Sequence, residues 1–108
     1  MKGKRKVTID TTITMGSGDV FTDLGFSPAE SRNLRLRSQL MTALRKFIEK
    51  EGLTQTGAAK RLKVSQPRVS DLTRGKLSRF SLDTLVNMLA DAGLDVDFRI
   101  KPSSRRVA

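Results

Sequence analysis

Between Leu53 and Gly75 the chain reads LTQTGAAKRLKVSQPRVSDLTRG, and four side chains in it, Ser65, Gln66, Arg68 and Ser70, carry donors and acceptors suited to the edges of DNA bases. A glutamine amide offers one donor and one acceptor side by side, which is what adenine presents in the major groove, so Gln66 is the first candidate for a base contact. Arg68 suits a guanine or a phosphate equally, and Ser65 and Ser70 can serve either kind of group. Lys63, Arg74, Lys76 and Arg79 are point charges better suited to phosphate than to sequence reading. These residues need a rigid support, and the same stretch supplies one as two short helices joined by a tight turn. The first is expected from Gln55 to about Leu62 with Thr54 as its cap, the second from Gln66 to about Thr73 with Ser65 as its cap and Pro67 in its first turn. Ala59 is small where the helices must cross, and Leu62, Val64, Val69 and Leu72 form an apolar seam.

A plain helical hairpin in a small bundle would need the same seam and the same caps. It would not need seven basic residues and one acid, Asp71, between Leu53 and Arg79. The whole chain has 108 residues, 21 Lys and Arg, 11 Asp and Glu, and a net charge of +10. Residues 1–27 carry +1 of this, residues 28–52 +3, residues 53–79 +6, and residues 80–108 none. A charge coat made for solubility would be spread evenly; here the excess sits on the segment that would approach phosphate.

Composition excludes several other classes. The chain has neither Cys nor His, so disulfides and thiolate or imidazole metal sites are ruled out, and a cytoplasmic protein without a cofactor is expected. No apolar run approaches the roughly 20 residues needed to span a bilayer. The basic start, Met1 to Lys6, is followed by VTIDTTIT, too polar for a signal-peptide core. No paired carboxylates, nucleophile elbow or phosphate loop stands out, and Gly16 with Gly18 makes only a lone GxG, so no enzyme activity is expected. At this length the chain holds one small domain.

Residues 1–26 read as a flexible arm with a short candidate strand at Val7 to Ile9 and scattered anchors at Val20, Phe21, Leu24 and Phe26. For Val20 to Phe26 two readings stay open, disorder and a segment that orders on a partner; for Met1 to Lys6 disorder is expected. The domain proper is expected over residues 27–101. Ser27-Pro28-Ala29-Glu30 is a capping box with proline at the first helical position, and the helix it starts runs to about Glu51, where Gly52 can end it. Leu40, Leu44, Phe47 and Ile48, with Met41 beside them, make its core stripe, while Arg32, Arg35 and Arg37 read as solvated surface. Ser81 caps a last helix with a core face of Leu82, Leu85, Val86 and Leu89, stopped by Gly93. Residues 102–108 read as a loose basic tail.

From Leu94 to Lys101 apolar and charged residues alternate, the pattern of a half-buried strand. Its backbone needs a partner, which is either the candidate around Val7 to Ile9 or the same strand of a second copy. An antiparallel pair centred on Phe98 sets Asp97 against Arg99, Asp95 against Lys101, and Val96 against Ile100; centring on Asp97 would oppose like charges. The expectation is a two-fold homodimer in which Leu94, Val96, Phe98 and Ile100 are buried against the helices. Such a dimer places two second helices on an inverted repeat in double-stranded DNA.

The spacing Gln55, Ala59, Val64, Gln66, Val69 and Gly75 resembles the helix-turn-helix of the phage-repressor (Xre-type) regulators. The run GKLSRFSLDTLVNMLADAGLDVDF narrows the likeness to a branch that includes HigA-type antitoxins, and it extends over roughly residues 25–100. The resemblance implies an all-α, compact repressor-like domain with one C-terminal β-strand used for dimerisation. It implies a dimeric repressor on operator DNA, often that of its own operon, acting as the antitoxin of a RelE/HigB-type ribonuclease toxin. Gln55 matches the position that holds the DNA backbone in this family. Lys63 stands where glycine is common, so a turn of altered shape is expected there. The alternative is a protein-interaction module, toxin-neutralising or scaffolding, in which the helix-turn-helix is mainly structural.

Overall fold

Hydroxyl side chains fix where the helices begin. In the computed structural model, which describes residues 5–9, 20–100 and 102, Ser27 Oγ accepts from the Glu30 amide at 3.2 Å and the Ser27 amide donates to Glu30 Oε1 at 3.1 Å. This reciprocal cap starts α2, Pro28–Lys50. Thr54 caps α3, Gln55–Leu62, through the Gly57 amide at 3.0 Å, and Ser65 caps α4, Gln66–Thr73, through the Arg68 amide at 3.3 Å. Ser81 does the same for α5, Leu82–Asp91, through the Thr84 amide at 3.1 Å. Each such cap is worth about 1 kcal/mol, and together they confine four helices to the boundaries expected of them. Gly52 and Gly93 follow α2 and α5 with φ of +64° and +85°, a conformation that residues bearing a Cβ rarely adopt.

One core joins these helices. Leu40, Leu44, Phe47 and Ile48 of α2 pack with Ala58 and Leu62 of α3, Val69 and Leu72 of α4, and Leu85, Met88 and Leu89 of α5. Phe80, from the connector between α4 and α5, is almost completely buried in the same cluster. That connector contains a single 3-10 turn, Leu77–Arg79. Arg37 holds it, contrary to the expectation that Arg37 is merely solvated. The Nη1 group of Arg37 donates to the Leu77 carbonyl at 3.2 Å and the Phe80 carbonyl at 3.0 Å, while Nε donates to Asn33 Oδ1 at 2.7 Å. Within the turn the Leu77 carbonyl also accepts from the Phe80 amide at 3.2 Å, and the guanidinium reaching across from α2 adds a charged donor to it and to the Phe80 carbonyl.

The expected arm is partly structured. Val20–Asp23 forms a short helix, α1, which lies against α2, and the rings of Phe21 and Phe26 meet edge to face with centroids 6.3 Å apart. Leu24 and Phe26 remain exposed. Arg5–Ile9 forms strand β1, which includes the candidate at Val7 to Ile9 and pairs with β2, Leu94–Phe98. Residues 1–4, 10–19, 101 and 103–108, where the rest of the expected loose arm and the loose tail fall, lie outside the described residues.

The two strands run parallel, with Arg5 opposite Leu94, Val7 opposite Val96 and Ile9 opposite Phe98. A parallel pair cannot be joined by a hairpin, and here the entire helical body is the crossover. β2 ends at Phe98, three residues short of the Lys101 limit read from alternation, with Ile9 of β1 opposite its last residue. Burial falls off along it too. Leu94 is buried and Val96 half-buried, but Phe98 is 47% exposed and Ile100 beyond it 96% exposed. Among the described residues of one copy, Phe98 and Ile100 are thus left uncovered; the burial expected for all four side chains is that of the expected dimer.

Candidate nucleic-acid interface

Packing decides which face of α4 is available. Val69 and Leu72 point into the core, and this leaves Gln66 and Ser70, with Arg74 capping the helix end four residues on, along the outer side. Gln66 and Arg74 are exposed, Ser70 is half-buried, and Pro67 is exposed beside Gln66. Ser65 is exposed as well, with its hydroxyl oxygen already engaged as the cap. Gln55 opens α3 on the surface.

The turn before α4 keeps its left-handed shape despite the lysine. Lys63 has φ 59° and ψ 43°, and the Val64 amide reaches back to the Ala59 carbonyl at 3.0 Å, closing the end of α3. The expected change of turn shape does not occur; the strain of a left-handed lysine is accepted instead, at about 1 kcal/mol. Lys63 Nζ lies 3.9 Å from Asp91 Oδ1, an exposed pair. Ala59, expected at the helix crossing, is half-buried, and its neighbour Ala58 is completely buried.

Two of the expected DNA contacts are engaged elsewhere. The Arg68 guanidinium lies over the Phe80 ring, 5.2 Å from its centroid, and its Nη1 donates to the Arg79 carbonyl at 2.7 Å. Arg68 thus fastens α4 to the connector through its Nη1 group and the Phe80 ring. Arg79 Nη1 lies 3.7 Å from Asp71 Oδ2, so part of its charge is balanced within the domain, although its side chain is still 58% exposed. Lys76 is half-buried at the start of the 3-10 turn. Gln66, by contrast, stands on the outer face with one anchor: its Nε2 donates to Thr56 Oγ1 at 2.9 Å.

Thr56 was not among the residues singled out by sequence. It stands next to Gln55 in the first turn of α3, and only the crossing of the two helices brings it to Gln66. The role of Arg37, read from sequence as solvated surface, is hidden for a similar reason, since its carbonyl partners lie some forty positions further along.

A helix-turn-helix domain family model matches residues 20–101. A solved structure assigned to the XRE family of transcriptional regulators is 36% identical, with a TM-score of 0.64, over 73% of this chain and 91% of that one. The chain belongs to the Xre-type helix-turn-helix family. No curated protein shows a matching sequence. The matched span takes α1 into the Xre-type domain and leaves β1 outside it. Among the described residues, no helix of this Xre-type chain is long and apolar enough to cross a membrane.

Proposed function

We propose that this protein is a sequence-specific, DNA-binding transcriptional repressor that acts as a homodimer on an inverted repeat. The observation that carries this reading is the outer face of α4, where Gln66, Ser70 and Arg74 stand clear of the core within the most basic segment of the chain. Gln66 reads a base edge, and Ser65, Ser70 and the exposed Pro67 lie against its neighbours. Gln55, Lys63, Arg74, Lys76 and Arg79 hold phosphates. Arg68 holds the connector, which carries Lys76 and Arg79. No cofactor enters this scheme, and repression follows from occupying the promoter.

The dimer uses the edge of β2 that carries no strand among the described residues. Exposure of Phe98 and Ile100 supports this, since neither side chain finds cover among the described residues. Pairing centred on Phe98 matches opposite charges; it requires β2 to lengthen past Phe98 through Arg99 and Ile100 on joining, and would then extend two strands into a sheet of four, β1-β2-β2-β1. The likeness to HigA-type antitoxins adds a more specific version, in which the repressor neutralises a RelE/HigB-type toxin encoded beside it. The exposed Leu24 and Phe26 favour a protein partner of some kind.

A salt-titrated binding assay with the DNA upstream of the gene, against scrambled duplex, tests the core of the proposal. Selective binding with a steep salt dependence is expected. Equal affinity for both duplexes would leave the helix-turn-helix as scaffold. Co-expression with the product of an adjacent reading frame tests the antitoxin version through growth rescue and co-purification.

A further inference from the structure

We infer that Thr56 is a positioning residue for base recognition: it holds the Gln66 amide so that α4 prefers adenine over guanine. The inference rests on the proposed DNA-binding role and adds a residue to it. Gln66 is exposed at the first position of α4, where a long amide side chain would otherwise sample many rotamers. Instead it reaches back across the turn to a hydroxyl on α3, 2.9 Å away. Both ends of this bridge sit in the first turns of capped helices, so the supporting backbone is itself fixed by Thr54 and Ser65.

The hydrogen-bond inventory gives the bridge its chemical meaning. A glutamine amide has two N–H donors and one carbonyl oxygen. Thr56 takes one donor. What remains is one N–H and the oxygen, the pair that adenine N7 and its N6 amino group require. Guanine presents two acceptors on the same edge, N7 and O6, and would need two donors. The bridge therefore presents the adenine pattern in advance and withholds the second donor that guanine would use. Holding a rotamer-rich side chain before binding also lowers the entropic cost of the contact.

The test is a selection of duplexes from a randomised library by the intact protein, followed by binding to the selected site and its single-base variants. The position read by Gln66 is the one where Gln66→Ala loses its preference. At that position Thr56→Val is expected to lower the adenine-over-guanine ratio about three- to tenfold, while its affinity for random duplex and its salt slope stay at the wild-type values. Thr56→Ser keeps the hydroxyl and should restore the ratio. Adding Thr56→Val to Gln66→Ala should change nothing further, because the two residues act through one contact. A Thr56→Val protein that discriminates as the wild type does would overturn the role of Thr56 and leave the DNA-binding reading intact. Loss of discrimination at every position together, or a wild type that selects no sequence, would also overturn it, the latter taking the DNA-binding reading down as well.

Discussion

At the scale of single residues, the arginines divide by what they touch. Arg74 is exposed on the outer face of α4, whereas Arg37 and Arg68 both end on carbonyls of the connector between α4 and α5. Arg37→Ala should strip the Leu77 and Phe80 carbonyls of a charged donor and cost about 2 kcal/mol, measured as a lower urea midpoint at unchanged slope. A midpoint within error of the wild type would mean that water replaces the guanidinium without loss. Gln66→Ala, at an exposed site, should leave the urea midpoint alone and reduce preference for the selected duplex over random DNA by about 1–3 kcal/mol. Arg74→Ala should instead weaken both duplexes alike and lower the salt slope by about one. If the Gln66 variant also lost affinity equally for both, Gln66 would be a backbone contact.

Among the elements, those set by neighbouring residues were open to reading from sequence. Ser27, Thr54, Ser65 and Ser81 each announce a helix within three positions, and α2 to α5 begin where those caps place them. The turn was harder. Glycine preference at a left-handed position argued for a different geometry at Lys63, yet the crossing of α3 and α4 holds the backbone and the side chain submits. Lys63→Gly should therefore stabilise the domain by roughly 0.5–1 kcal/mol, read by thermal melting, while weakening random-duplex binding through loss of a cation. No gain in stability would show that the extra freedom of glycine in the unfolded chain cancels the relief. Contacts that cross the sequence, such as Thr56 with Gln66 and Arg37 with Phe80, left no periodic signature. Alternation in Leu94 to Lys101 showed that a strand was present, but it could not show that its partner within the chain runs parallel to it.

For the molecule as a whole, the proposals meet at β2. One edge carries β1 and the exposed apolar side chains Phe98 and Ile100 lie at its far end, so a second copy would bury apolar surface while extending the backbone ladder. Phe98→Glu puts four like charges, Asp97 and Glu on each copy, about the proposed axis. It should shift light-scattering mass at micromolar concentration from dimer to monomer while the helical circular dichroism persists. A wild type already monomeric under those conditions would remove the two-fold arrangement, and with it the inverted-repeat requirement.

The parallel pairing of β1 with β2 also orders events in time. Residue 5 meets residue 94, whereas α3 and α4 meet across a turn and α5 follows them directly. Closing so large a loop delays the strand pair, so the helical body can assemble while β1 is still searching. With burial falling off past Leu94, the same pair should also open before the helical core in the native protein. In hydrogen exchange, amides of Leu94 to Phe98 should lose protection at lower denaturant than those of Leu85 to Leu89, whereas identical protection would mark one cooperative unit. The half proposed to face DNA would thus exist before the half proposed to join two copies, and such joining would wait on the slowest contact each chain makes with itself.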